Sequence, residues 1–138
     1  MAKVSGLGDY LSVDDSSGSA RDISNDVTSA TVDNGQDLQV VTGIDKSAQE
    51  RLILLGDGNV TINGVFNAAS NKSHDVFKVQ SGTRTVTYCV GGNSSSNPKL
   101  EMEILVGSYN LDRASDGSLT WTATLALQSG TVPTWSTV

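Results

Sequence analysis

One histidine, one cysteine, two prolines, two tryptophans, three tyrosines and two phenylalanines are all that a chain of 138 residues contains of these types. The single cysteine, Cys89, excludes an internal disulfide framework and any Cys-based metal motif. It lies in the β-branched stretch Thr83–Val90 (TRTVTYCV) and reads as a small core residue. The single histidine excludes a His-rich ligand set. So few aromatics make a poor platform for stacking sugars or bases. Positive charge is scarce as well: nine Lys and Arg against fifteen Asp and Glu give a net charge of -6, with no basic cluster to neutralise phosphates. No apolar run reaches the 18 residues of a membrane helix. Met1 to Tyr10 has no apolar stretch like a secretion signal, so no leader is expected and the sequons at Asn59, Asn71 and Asn93 read as chance products of composition.

What fills the chain is Ser, Thr, Asn and Gly around recurring strand-like segments, with 37% apolar and 17% charged residues. A chain of this length holds one core, and the expectation is a single β domain over residues 1–138. Tyr10, Leu11 and Val13 open a first strand, and Asp14–Ala20 is a polar loop. Residues 21–36 keep no clean period and read as an extended arm with at most one short strand, so a polar loop or arm covers about 14–36. Leu38–Thr42 is a strand. A helix is expected next. Ser47 and Glu50 fit a capping box, Ile44, Ala48, Leu52 and Leu55 fall at helical spacing, Gly56 stops it and Asp57-Gly58 turns. Val60, Ile62 and Phe66 alternate as a strand, and Asn71–Val79 holds one helical turn anchored by Val76, Phe77 and Val79. Gly91–Pro98 is a loop. Leu100–Leu111 is the longest strand, with a pattern slip at Gly107 that predicts a bulge. After a hairpin turn at Asp116-Gly117, Leu119, Trp121, Ala123, Leu125 and Leu127 alternate with polar residues. The expected fold is an antiparallel β-sandwich or barrel with one short α-helix packed on it.

The search for catalytic chemistry finds nothing coherent. Ser73, His74 and Asp75 are adjacent, whereas triad members converge from separate elements. A His74–Cys89 pair lies in no recognisable motif. Asp33–Asp37 (DNGQD) has its glycine misplaced for a calcium loop and reads as a solvated turn. Glu101 and Glu103 share one face of a strand, yet nothing else in the chain suggests a glycosidase. Trp121 belongs to an apolar face and to the core; Trp135, in a C-terminal loop, either plugs its own sandwich or docks on a neighbour.

Six pieces, in order along the chain, resemble the small tail tube (major tail) proteins of long-tailed bacteriophages, especially those of actinobacteria. They are Val4–Leu11 (VSGLGDYL), Val41–Arg51 (VTGIDKSAQER), Leu55–Phe66 (LGDGNVTINGVF), Val86–Cys89 (VTYC), Asp116–Ala123 (DGSLTWTA) and Trp135. The polar stretch Asp14–Gln36 is longer and richer in Ser and Asp than that family leads one to expect. The resemblance implies a β-sandwich flanked by a helix, with no enzymatic activity, cofactor, metal or membrane. It implies six-membered rings that stack into a tube through which genomic DNA passes without specific binding. The implied partners are further copies of the chain, the tail terminator, the distal tail protein and the tape measure. The implied location is the virion tail, after synthesis in the host bacterial cytoplasm. On this reading Glu101 and Glu103 face the lumen, and Asp14, Asp15, Asn93, Ser94, Ser95 and Trp135 are the inter-subunit positions. A capsid decoration or head-tail connector protein is the alternative, and a small β-sandwich binding module the next.

Overall fold

The computed structural model describes residues 3–138. Strands β1 (Tyr10–Asp14) and β2 (Ala20–Asp22) lead into a 3-10 turn at Ser24–Asp26. Then come β3 (Val27–Val40), β4 (Arg51–Val65), helix α1 (Ser73–Phe77), β5 (Thr83–Cys89), β6 (Pro98–Arg113), β7 (Leu119–Leu127) and β8 (Trp135–Thr137). The strands form one antiparallel sheet in the order β2-β1-β5-β6-β7-β4-β3, with β8 paired to the start of β6. Leu11 and Val13 from one flank and Val60 and Ile62 from the other lie in the same buried cluster, so the sheet bends over on itself. This is the expected fold class: antiparallel β with one short helix.

The strands with clean alternation form as their patterns predict. On β7, Trp121, Ala123 and Leu125 are buried, and on β6 so are Leu100, Met102, Ile104 and Val106. The register of β6 on β7 shifts between Val106 and Ser108, a bulge at Gly107. It moves Tyr109 onto the core side, where its ring stacks on Phe77 at 5.6 Å. The Asp116-Gly117 turn closes the β6–β7 hairpin: Ala114 N–H donates to Ser118 O, Gly117 N–H donates to Ala114 O, and Asp116 Oδ1 accepts from Ser118 N–H. Gly64 permits a close approach: a Cβ there would lie 2.1 Å from Asp26 O and 2.7 Å from the Trp121 ring.

Helix α1 has five residues and no side-chain cap of its own. Distant residues hold it. Asp26, buried, accepts the Ser73 N–H at 3.1 Å and the Asn67 amide at 2.8 Å. At the other end Arg84 donates to Val76 O at 2.7 Å and to Val79 O. Val76 and Phe77 are buried as expected, whereas Val79 is exposed and contributes its carbonyl rather than its side chain.

Three expectations are corrected. The helix predicted from Ser47 to Gly56 is absent; Arg51–Val65 is strand β4, and Gly56 and Asp57-Gly58 lie inside it, opposite Gln36, Gly35 and Asn34. A helix that short is stable only on an apolar surface, and Val76 and Phe77 of α1 are the helical residues the core takes in. Pairing with β3 satisfies the β4 backbone instead. Glu50 does not close a capping box: its N–H donates to Thr42 Oγ1 at 2.9 Å and its carbonyl accepts from Val41 N–H, closing the hairpin. Second, within residues 14–36 only the turn at 15–19 is the expected polar loop; the rest is β2, the 3-10 turn and most of β3, a strand of 14 residues. Third, Trp135 lies on β8, not in a loop, and does not plug the core.

Candidate functional site

The β3–β4 hairpin is registered from Val27↔Gly64 to Val40↔Arg51. Strand β7 covers β4 only between Asn59 and Val65. Beyond Asn59 the hairpin continues as a two-stranded ribbon toward a turn where Lys46 N–H donates to Gly43 O. An isolated ribbon of that kind is marginal in water unless something covers it. This one is apolar. Leu38, Val40, Val41, Ile44 and the run Leu52–Leu55 are all exposed, with Leu55 84% exposed and Ile44 completely so. A contiguous exposed patch of this type marks an interaction surface. Near the tip Lys46 pairs with Asp45 at 3.4 Å, and Arg51 donates to the neutral Gln49 Oε1. The hairpin is the feature that the sequence reading missed. Its signal is Leu52–Leu55, four apolar residues in a row, which no amphipathic helix or half-buried strand requires.

The second feature is the sheet face turned away from the core. Register and alternation place Thr85 and Thr87 of β5, Lys99, Glu101 and Glu103 of β6, Thr122 and Thr124 of β7, Asn59, Thr61 and Asn63 of β4, and Ser29, Thr31 and Asp33 of β3 on it. Side chains on it bond across strands. Thr122 Oγ1 donates to Asn63 Oδ1 at 2.7 Å, Asn63 Nδ2 to Ser29 Oγ at 3.1 Å, and Thr85 Oγ1 to Glu103 at 2.5 Å. Lys99 pairs with Glu101 at 2.8 Å, and this bond raises the lysine pKa. Glu103 has no cation beside it among the described ion pairs, so the face is acidic on balance.

The remaining predicted positions divide. Asp14 ends β1 and Asp15 sits in the tight β1–β2 turn, where it accepts from Ser17 and Ser19 N–H and pairs with Arg21 at 3.0 Å. The hydrogen bond from Ser19 N–H, followed by the one from Arg21, holds the Asp15 pKa below its ordinary value. Asn93, Ser94 and Ser95 are exposed in the β5–β6 loop, toward the opposite end of the β1–β5 pair. There the C-terminal strand joins them: Ser96 N–H donates to Val138 O, Val138 N–H to Asn97 O, and Trp135, 51% exposed, lies opposite Leu100. The C-terminal residue Val138 is therefore brought to the Asn93–Ser95 loop, Trp135 lies at the far end of β8 from it, and Asp14 and Asp15 lie at the opposite end of the β1–β5 pair.

The catalytic candidates do not assemble. His74 Nδ1 is 3.2 Å from the Tyr109 hydroxyl and its ring packs on Phe66. Cys89 is buried, its thiol pKa raised by desolvation, with Asn93 as its polar neighbour. Among the described residues no three of His, Cys, Asp and Glu are grouped to hold a metal ion, Asp33 and Asp37 included. No helix among them is long and apolar enough to cross a membrane.

No protein-family model and no curated protein sequence matches the chain. Solved structures do. The chain has the tail-tube fold. It superimposes on a chain from the SPP1 tail tube with a TM-score of 0.73 at 8% identity, covering 99% of this chain and 80% of that one. A chain from the tail of an empty gene transfer agent particle, of C6 symmetry, gives 0.72 at 12% identity with 99% of both chains covered. A chain from the sheath-tube complex of an extracellular contractile injection system gives 0.64 at 14%, covering 99% and 93%. At such identities the likeness is one of fold, and it spans the whole described sheet, the protruding hairpin included.

Proposed function

We propose that this chain is the structural, non-enzymatic subunit of a phage tail tube. Copies close into six-membered rings, the rings stack, and DNA passes through the bore. The observation that carries this reading is the outer half of the β3–β4 hairpin, apolar on an unpartnered ribbon, in a fold shared along its length with subunits of tubes. Burying that ribbon against neighbouring copies removes a surface that would otherwise favour aggregation. The C6 symmetry of the gene transfer agent tail supports the ring number. At its ends the tube would meet the tail terminator and distal tail proteins, and inside it the tape measure, all within the virion.

The acidic, hydrogen-bonded sheet face supports a lumen position for Glu101 and Glu103. Repeated in every subunit, those carboxylates repel phosphates, so DNA slides instead of sticking. The Asn93–Ser95 loop and Trp135, each exposed, are the better candidates for contact between subunits; Asp15 is engaged within its own turn. Electron microscopy of the purified protein at rising concentration tests the reading. Rings and tubes of uniform width are expected. A chain that sediments as a monomer at every concentration overturns it.

A further inference from the structure

Asp or Asn precedes Gly at Asn34, Asp57, Asn63 and Asp116. In such a pair the glycine nitrogen can attack the side-chain carbonyl carbon of the residue before it, since no Cβ on the glycine hinders the approach. In three of the pairs the side chain is bonded elsewhere. Asn34 Nδ2 donates to Pro133 O at 3.1 Å. Asn63 is held on both sides, by Thr122 at 2.7 Å and Ser29 at 3.1 Å, and Gly64 is paired opposite Trp121. The Asp116 carboxylate accepts from the Ser118 N–H and hydroxyl, while Gly117 N–H donates to Ala114 O. The two Ser118 bonds lower the Asp116 pKa, and an ionised carboxylate is a poor electrophile.

Asp57-Gly58 differs, and the sheet explains why. Phe66 N–H donates to Leu119 O. Alternate residues of a paired strand point their N–H the same way, so Gly58 also directs its N–H toward the β7 side. The register of β4 on β7 ends at Asn59↔Ala126, one residue short of Gly58. The Gly58 N–H donates instead to Asp57 Oδ1 at 2.8 Å, which brings the nitrogen beside Asp57 Cγ. Asp57 is exposed to water. We propose that Asp57-Gly58 is a site of spontaneous isoaspartate formation in the folded protein. The Gly58 nitrogen bonds to Asp57 Cγ, and the carboxyl OH leaves with the amide proton as water, closing a succinimide. Water then adds to the main-chain carbonyl carbon of the ring and breaks its bond to the Gly58 nitrogen. The chain now runs through the Asp57 side chain, one methylene longer, and the former main-chain carbonyl is a free carboxylate. The extra methylene falls where the base of the β3–β4 hairpin meets its outer half, so Arg51–Asp57 lose their register with β3. The chemistry belongs to the single folded chain and proceeds whether or not copies assemble.

The test is prolonged incubation of the folded, dilute chain in mildly acidic buffer, where the carboxyl is protonated often enough to lose OH. Isoaspartate is detected by enzymatic methylation of its free α-carboxylate and located by peptide mapping. The expected result is methyl acceptance at residue 57 and none at residue 116 over the same period. In chain unfolded with guanidinium the two Asp-Gly pairs should react alike, which assigns the difference to the fold. Asp57→Glu, at an exposed position, should keep the circular dichroism of the parent and lose the product, because the larger glutarimide ring closes far more slowly. Amide exchange over Arg51–Asp57 should quicken in the aged parent and not in aged Asp57→Glu. Folded protein that gains no isoaspartate at residue 57, or gains it no faster than at residue 116, overturns the proposal. Isoaspartate at residue 57 with unchanged exchange overturns the loss of register.

Discussion

Arg84 is 1% exposed, and its hydrogen-bond partners are main-chain carbonyls rather than a carboxylate: Val76 and Val79 at the end of α1, Ser81 at 3.3 Å and Asp14 at 3.2 Å. Its Nε has no partner. Burial lowers its pKa, opposed by the nearby Asp15 and Asp14 charges. Two effects compete. Each hydrogen bond from a charged donor stabilises by about 1.5–3 kcal/mol, and four such bonds sum to roughly 6–12 kcal/mol. Removing a guanidinium from water costs several kcal/mol in return. The net is a few kcal/mol in favour of the arginine, because its planar fork reaches carbonyls at the end of α1, before β5 and on β1 at once. Arg84→Met keeps the aliphatic packing and orphans the carbonyls, so it should cost about 2–4 kcal/mol. Arg84→Ala adds a cavity and should cost more. Arg84→Lys keeps the charge but not the fork, and should cost about 1–2 kcal/mol. Urea denaturation below the assembling concentration, followed by emission of the buried Trp121 and by circular dichroism, measures the series at constant m-value. A methionine variant as stable as the parent would refute the reasoning: desolvation would then cancel the bonds, and α1 would be held by packing and the Asp26 anchor.

Asp26→Ala orphans the Ser73 N–H and the Asn67 amide and should cost about 1–3 kcal/mol in the same assay; a loss under about 0.5 kcal/mol would show that α1 does not depend on this anchor. The Asp15 pKa is depressed, so its contribution is present above the ordinary value of 3.8 and disappears as pH falls through the lower folded value. Melting temperature should therefore drop below pH 3.8, and Asp15→Asn should flatten that acid limb; an unchanged limb excludes Asp15 as a source. Glu101→Lys with Glu103→Lys should leave tubes able to form but make them retain DNA, more so at low salt. Normal DNA delivery by tubes of normal length would place these side chains outside the bore.

Where a strand lies half-buried between two paired neighbours, the sequence is explicit. The alternation from Leu119 to Leu127, the slip at Gly107, the Asp116-Gly117 turn and the burial of Trp121 and Cys89 all follow from period-two patterning and turn chemistry. The short strands depend on distant partners, and the sequence does not announce them. Strand β2 is three residues paired to β1, and β8 is three residues paired to β6 where β7 has left it. The cap of α1 illustrates the same limit, because Asp26 stands 47 residues from the N–H it accepts.

The segment misread from the sequence is the one on which the proposed function rests, and both have one cause. Periodicity arguments assume that apolar residues are buried by the chain that carries them. Along Leu52–Leu55 that assumption fails, since both faces of the ribbon are apolar and neither is covered within the subunit. Ile44, Ala48, Leu52 and Leu55 then mimic a helical stripe by coincidence. Length is the better guide here. Val27–Val40 and Arg51–Val65 are strands of 14 and 15 residues around a polar turn, longer than the sheet that holds their bases. A hairpin that outruns its own sheet, and stays apolar where it does so, supports the proposed reading, in which another molecule covers it.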